Sequence, residues 1–458
     1  MTASPSLVVV GAGPAGLSAA LAAARAGMRV TLIDEAKVSG GQYFRGRQSS
    51  ESEGSPSYFE KHVPSAVTRK LDAVVVDVPE PGTLLVWHHG AGVERVTYDR
   101  LVIATGAYDR AVALPGWTLP GVLTAGGAST LAKVHGVTAG KRMLVAGSGA
   151  FLLSVSDDLS HAGCQVEIVE ATPLSTSVRG LSTIAGDPEI MRQALGYLAR
   201  LTGRGVRRSY GQMVTRIHGG DRVEAATIHK VDRQWRPISG TGRTVEVDGV
   251  CLGFGFVPQL ELTQALDCKL KYDASAANYF VSVDHAMRTS QGGIYAAGEV
   301  TGIAGMRVAT AEGELAGIAA AHDSGLLSEV DFDRVAERLG RRLARVRRVA
   351  DWLKEAYRPR AGLWSLADRD TILCRCEDVT LSDADDALRN NAPTPVALKT
   401  ATRSGMGLCQ GRICTPYLIE WLQAERGYRV PPDERPWRIR PPIRPVPLAD
   451  WMSASVSQ

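Results

Sequence analysis

The apolar positions of the first forty residues change their period twice. "SLVVV" (Ser6–Val10) is an unbroken β-branched run, the pattern of a strand buried on both faces. "GAGPAG" interrupts it. "LSAALAAARAG" then reads as an alanine-rich helix, and "RVTLIDE" returns to a short apolar strand. The order strand, glycine turn, helix, strand recurs over residues 142–170, "RMLVAGSGAFLLSVSDDLSHAGCQVEIVE". Between the two units "LDAVVVDV" and "TLLVWHH" predict hairpin strands, and "YDRLVIATGAYDR" predicts an apolar strand ending in Ala-Thr-Gly. Residues 45–60 are rich in Ser, Glu and Gly and predict a mobile surface loop.

At "VDGVCLGFGFVPQLEL" the pattern of the first unit resumes, and "GGIYAAGEVTGIAG" leads into an alanine-rich helix. Residues 331–357 place apolar residues three and four apart, which predicts a helix with its arginines on a solvated face. The tail, "VPPDERPWRIRPPIRPVPLADW", has too many prolines for a helix and predicts an extended strap. The reading is an α/β chain with two Rossmann-like dinucleotide-binding domains, one inserted in the other. The first covers 1–138 and 246–325, the insertion 139–245. A helical linker (326–370), a small cysteine-bearing domain (371–425) and the strap (426–458) follow.

Composition narrows the partners. Fifty-two basic residues against 48 acidic ones give a net charge of +4, too balanced for a nucleic-acid binder. No apolar run reaches about 18 residues, so no membrane span is expected. The N-terminus lacks the basic and apolar regions of a signal peptide, which points to a cytoplasmic location. In a reducing compartment, clustered cysteines indicate metal or catalysis rather than disulfides.

Gly11, Gly13 and Gly16 form Gly-x-Gly-x-x-Gly between a strand and a helix, with Pro14 and Ala15 inside the turn. The first glycine permits the turn, the second lets a pyrophosphate approach the backbone, and the third packs helix on strand. The helix N-terminus offers unpaired N–H groups to the phosphates. Asp34, eighteen positions after Gly16, with Glu35 beside it, is placed to accept from a ribose hydroxyl. Gly40, Gly41 and Gln42 fit a second loop touching the diphosphate. The second unit keeps Gly147 and Gly149 but has Leu152 where a third glycine is usual, with Glu170 eighteen positions later. An acidic Glu170 disfavours NADP, and the lost glycine favours a retained fold without nicotinamide turnover.

Residues 1–163 contain no cysteine, and Cys164, Cys251 and Cys268 occur singly and read as buried structural thiols. Four others are grouped: Cys374 and Cys376 as Cys-x-Cys, then, after 32 residues, Cys409 and Cys414 as Cys-x4-Cys. Four thiolates can hold zinc or a [2Fe–2S] cluster, and Cys-x-Cys is unusual for zinc. Arg375, Arg403 and Arg412 are close enough in sequence to offset a cluster's charge. His88, His89 and His135 sit in no acid–base constellation, and no catalytic residue is assigned.

Three signatures carry a resemblance over residues 5–325: the first glycine turn with its acid, "ATG" at Ala104, Thr105 and Gly106, and "GIYAAGE" from Gly293 to Glu299. They resemble the two-dinucleotide-domain flavoproteins related to thioredoxin and glutathione reductases. That likeness implies FAD in the first site, with Gly298 and Glu299 near the ribityl chain and diphosphate; Glu replaces the commoner Asp. "CRCEDVT…TRSGMGLCQGRIC" resembles the bacterioferritin-associated-ferredoxin (BFD) type of [2Fe–2S] domain, departing from it in the wider Cys-x4-Cys spacing. The combination, together with "LPGWTLPGV" and "RPPIRPVPLADW", resembles the α-type subunits of heteromeric bacterial amino-acid dehydrogenases: opine oxidase, D-hydroxyproline dehydrogenase and the related component of hydrogen cyanide synthase. The resemblance implies an electron-transfer subunit. Its partner would be a β subunit of amine-oxidase type carrying its own FAD, with an FMN at the interface between them, a downstream acceptor and a small third subunit. It implies no use of NAD, and a cytoplasmic protein that can associate peripherally with the inner membrane.

Overall fold

A computed structural model describes residues 4–46, 52–64, 67–180, 183, 186–433, 437 and 439–453. Two parallel five-stranded sheets organise it. The first runs Ile294–Ala296, Arg100–Ile103, Ser6–Val10, Arg29–Asp34, Val67–Leu71. Its central strand is the "SLVVV" run, and Leu7, Val8 and Val9 are sealed from solvent on both faces. Helix Pro14–Arg25 packs on it and against helix Met306–His322. The two helices touch backbone to backbone: a Cβ on Gly313 would lie 2.0 Å from the Ala15 carbonyl oxygen, and one on Gly317 2.3 Å from that of Ala19. Gly313 and Gly317, facing alanines on the other helix, are what allow this approach.

The second sheet runs Arg207–Tyr210, Gln165–Glu170, Arg142–Gly147, Gly249–Gly253, Val122–Thr124. This moves both borders of the inserted unit. Gly249–Gly253, read from sequence as the return to the first domain, pairs in the second sheet, as does Val122–Thr124, read as its first part. Buried strands of two parallel sheets share one composition, so the apolar run could not say which sheet it would join. The chain crosses between the units on a short antiparallel ribbon, Ala107–Asp109 with Phe256–Pro258.

The strands predicted around "VVVDV" and "TLLVWHH" form the antiparallel pair Ala73–Glu80 and Thr83–His88. The predicted loop at 45–60 is partly a helix, Pro56–His62. Ser55 caps it, its hydroxyl accepting from Tyr58 N at 3.1 Å, and Phe59 is buried; residues 47–51 lie outside the described residues. Serine at the cap and proline at the first helical position are helix-start signals that the loop-like composition masked.

Glu329–Ala356 is one long helix whose Phe332, Leu339, Leu343 and Val346 join the core of the first unit. Its arginines are not all solvated: Arg347 pairs with Glu312, whose side chain is 3 % exposed. Beyond it, the C-terminal domain shares one continuous core with the second unit, in which Trp421, Leu418 and Leu373 meet Trp117, Trp235 and Phe254. Trp117 Nε1 donates to Ile372 O at 2.7 Å across that junction. The strap runs back over the first unit, with Ile443 buried in its core and Trp87 Nε1 donating to Asp450 at 2.8 Å. It ends in a short helix, Leu448–Ser453.

Candidate functional site

The first glycine turn is built by close approaches. A Cβ on Gly11 would lie 2.2 Å from the Ala104 carbonyl oxygen, and one on Gly16 1.7 Å from that of Gly11. Gly13 instead faces Gly41, whose added Cβ would lie 2.9 Å from Gly13 Cα, and Gly40 N donates to Ala12 O at 2.7 Å. Gln42 lies in the single turn Gly41–Phe44. Gly298 abuts Ala15 at the start of the helix. The fold thus brings Gly11–Gly16, Gly40–Gln42, Ala104–Gly106 and Gly298–Glu299 to one end of the parallel sheet, where α/β folds bind dinucleotides. Side chains added to Gly13 and Gly41 would fill the cradle between them, so these residues fit a pyrophosphate.

The two acidic residues divide the work. Asp34 looks inward: one oxygen accepts from Ala12 N at 2.5 Å, the other from Ala36 N at 2.7 Å. Burial raises its pKa against these two donors. Asp34 therefore holds the turn, while the side chain of Glu35 beside it is half exposed. Glu299 accepts from Gly305 N at 2.9 Å, and burial pushes its carboxyl up to about 7. Thr105 Oγ1 donates to Gln259 O at 3.0 Å, and Gly106 O accepts from Gln259 N at 2.9 Å. Sequence reading missed Glu312, which accepts from Gly298 N at 2.8 Å and Thr301 Oγ1 at 2.7 Å; the two carboxylates Glu312 and Glu314 amid the small apolar residues of "VATAEGELAGIAAA" were the signal.

At the second turn a Cβ on Gly147 would lie 1.9 Å from the Gly253 carbonyl oxygen, so the tight turn is retained. Leu152 occupies the place of the third glycine because the neighbouring strand supplies one: a Cβ on Gly253 would lie 2.8 Å from Leu152 Cδ2. Glu170 is buried, accepting from Gly149 N at 2.9 Å and Thr172 N at 2.8 Å, and burial pushes it up to about 7. Its carboxylate closes the turn instead of reaching outward. Over Gly149 stands Tyr357, from the end of the long helix, 4.0 Å from the position of an added Cβ.

The four grouped cysteines converge. Cys374 ends strand Ile372–Cys374, Cys414 opens helix Cys414–Arg426, and Cys409 lies in the loop containing left-handed Gly405, Gln410 and Gly411. Cys374 and Cys414 are buried, Cys409 is half-buried and Cys376 exposed. Their thiols act on one another electrostatically in a chain, 374 to 414 to 409 to 376. The thiol of Cys414, then the backbone N–H groups of Gly405, Glu377 and Cys376, hold Cys374 down to about 6; Cys414, Ile413, Cys376 and Gly411 hold Cys409 down to about 5. Four sulfurs drawn together and supplied with backbone N–H donors fit a [2Fe–2S] cluster. Two of the arginines expected to offset its charge have other partners. Arg403 pairs with Glu377 at 3.0 Å, and Arg412, 8 % exposed, pairs with Glu261 at 2.8 Å.

Cys164, Cys251 and Cys268 are buried apart from this group. His88 pairs with Glu94 at 2.7 Å, His89 packs on Trp87, and His135 ends a helix. No helix among the described residues is long and apolar enough to cross a membrane.

Residues 5–323 match the family described as pyridine nucleotide-disulphide oxidoreductase. The chain belongs to it. Residues 372–424 of this oxidoreductase match the BFD-like [2Fe-2S] binding domain. It is 30% identical to the A component of opine oxidase from Rhizobium meliloti, over 97% of this chain and 86% of that one. It is also 30% identical to the HcnB component of hydrogen cyanide synthase from Pseudomonas protegens, over 96% of each. In fold it is similar to the crystal structure of L-proline dehydrogenase from P. horikoshii, with a TM-score of 0.71 at 20% identity, covering 98% of this chain and 79% of that one. The oxidoreductase is thus a member of a flavin-dependent family with an iron–sulfur domain appended, and the named relatives at 30% identity are themselves subunits of larger enzymes.

Proposed function

We propose that this chain is the electron-transfer subunit of a heteromeric flavin-dependent dehydrogenase acting on the C–N bond of an opine, D-hydroxyproline or similar secondary amine. FAD belongs in the first site, held by Gly11–Gly16, Glu35, Gly41, Gln42, Gly298 and Glu299. The cluster belongs on Cys374, Cys376, Cys409 and Cys414. When bound, a flavin accepts electrons as a pair and a [2Fe–2S] cluster passes them singly, so together they convert one into the other. This chain's own residues bind and shield these groups. Oxidation of the substrate belongs to a partner of amine-oxidase type with its own FAD, and an FMN at the shared interface, a downstream acceptor and a small third subunit complete the assembly. The cytoplasm, with peripheral contact to the inner membrane, is the proposed location.

The observation that carries this reading is the second glycine turn, with Tyr357 seated over Gly149 and Glu170 turned inward. That arrangement supports a flavoprotein with no nicotinamide route, which leaves the four cysteines as its way of exchanging electrons. A second reading, a component of a hydrogen cyanide synthase acting on glycine, is supported by equal identity to HcnB. Co-expression with the neighbouring genes, followed by dye reduction with opines, D-hydroxyproline, proline and glycine, tests both. The chain alone is expected to reduce no dye with any of them, and the assembly to respond to one. Rapid bleaching of its flavin by NADH would overturn the proposal in favour of a stand-alone NADH-dependent reductase.

A further inference from the structure

The proline-rich strap passes from the cysteine loop to the first nucleotide site within three residues. Gln410 Nε2 donates to Pro442 O at 2.6 Å, and Arg412 Nη2 donates to Ile443 O; both donors lie between Cys409 and Cys414. Ile443, 3 % exposed, is fixed from the other side by its N–H to Val76 O at 2.7 Å. The next residue, Arg444, turns into the first unit. Its Nη2 donates to Gln259 Oε1 at 2.9 Å, lies 3.6 Å from Glu35 Oε2, and the guanidinium carbon is 5.7 Å from the Tyr108 ring centre. Gln259 is the residue bonded to Thr105 and Gly106.

A surface ion pair is a poor account of this arrangement. At 3.6 Å the contact with Glu35 is too long for a hydrogen bond, and a pair with a half-exposed carboxylate contributes only about 0–1 kcal/mol. Yet the Arg444 side chain is only 21 % exposed and is delivered by an anchored segment. A guanidinium has five donors in a planar fork, more than Gln259, Glu35 and the Tyr108 hydroxyl take up. The fork stands beside Glu35, the residue that follows strand Arg29–Asp34, at the strand end where a dinucleotide's ribose and diphosphate are recognised.

We propose that Arg444 is a binding residue of the first site, taking the anionic ADP half of the dinucleotide while Glu35 accepts from its ribose. This rests on reading the first site as a dinucleotide site. Because Gln410 and Arg412 hold the strap, the site is complete only when the cysteine loop is folded. Nucleotide binding and cluster assembly are therefore thermodynamically linked, each strengthening the other by one factor.

The test uses the full chain stripped of nucleotide and titrated calorimetrically with ADP, FAD and FMN, with circular dichroism confirming the fold. Arg444→Ala is expected to weaken ADP and FAD alike by about tenfold to a hundredfold, the usual loss of a charge-assisted contact, and to leave FMN unchanged. Arg444→Lys recovers part of the loss, keeping charge without the fork. Gln410→Ala, which touches no nucleotide, weakens ADP several-fold. Cluster-loaded wild type binds ADP more tightly than cluster-free protein, and Arg444→Ala erases that difference. Arg444→Ala protein binding ADP within about twofold of wild type would overturn the inference and leave the dinucleotide site standing. Wild type that binds neither ADP nor FAD would overturn both.

Discussion

Arg110 is a cation sealed inside the molecule, 2 % exposed, where the flavin-type unit meets the cysteine domain. Its Nη2 donates to Ala276 O at 2.8 Å and Ala277 O at 3.2 Å, and its guanidinium lies 5.6 Å from the Trp364 ring centre. The opposing charge is Glu420, buried on helix Cys414–Arg426 and accepting from Tyr272 OH at 2.7 Å. Burial lowers the pKa of Arg110 and raises that of Glu420, while each charge works to keep the other ionised. Arg110→Met removes the counter-charge and the donor to two carbonyls, and breaking a buried pair from one side costs about 3–5 kcal/mol. Glu420→Gln retains an acceptor for Tyr272 but leaves the buried Arg110 cation without its counter-charge, breaking the same pair from the other side at about 3–5 kcal/mol. If the two act as a pair, the double variant is less destabilised than the sum, by about 1–2 kcal/mol within the usual coupling range. A chain of this size does not unfold in one step, so the readout is native-state hydrogen exchange of the Leu418, Trp421 and Leu422 amides, which reports opening of that helix. Additivity within about 0.3–0.5 kcal/mol would refute the pairing.

Two further outcomes follow from the acidic residues. The pKa of Glu170 is raised in the folded state to about 7 from 4.5. The folded chain therefore holds that proton more tightly than the unfolded chain, and the contribution is complete below about pH 4.5 and lost as pH rises through about 7. The stabilisation contributed by Glu170 is expected to fall by on the order of 3 kcal/mol from pH 5 to 8, read as the difference between wild type and Glu170→Gln in hydrogen exchange of the Gly149 and Thr172 amides, a difference in which the raised carboxyl of Glu299 cancels; profiles that stay parallel would show that Glu170 does not titrate there. Asp34→Ala leaves the Ala12 and Ala36 N–H groups without their acceptor, at about 1–3 kcal/mol each. Protein purified from that variant is expected to lose most of its flavin on gel filtration, and full retention would contradict the role given to Asp34.

The local units were legible in the sequence because each is written in neighbouring residues: a β-branched run, a glycine turn, a small-residue helix. The grouping of Cys374, Cys376, Cys409 and Cys414 was legible for the same reason, since spacing alone drew attention to it. Sheet membership was not. Gly249–Gly253 joins the second sheet by pairing with Arg142–Gly147, and nothing in an apolar run names its partner. The orientation of a carboxylate was equally hidden. Asp34 and Glu170 stand where ribose acceptors stand, and only the positions of Ala12, Gly149 and Thr172 reveal that they hold their own turns. Glu312, Gln259 and Arg444 depend on contacts between residues far apart in the chain, beyond the reach of any local pattern.

The ribbon of Ala107–Asp109 and Phe256–Pro258 carries both strand crossings between the two sheet units, flanked by Gly106 and Gly255, each in a left-handed conformation with open space around it. Such a crossing is a pivot, about which one unit can turn against the other. Here the pivot is splinted. The cysteine domain shares its core with the second unit, and its tail buries Ile443 in the core of the first. Any rotation would have to pull one of these free. A flavoprotein that works by swinging a domain between two stations needs its pivot loose; one whose redox groups must keep a fixed separation for tunnelling needs it locked. The appended domain supplies the lock together with the cysteines, so removing it would take away an electron exit and restore a motion in the same step.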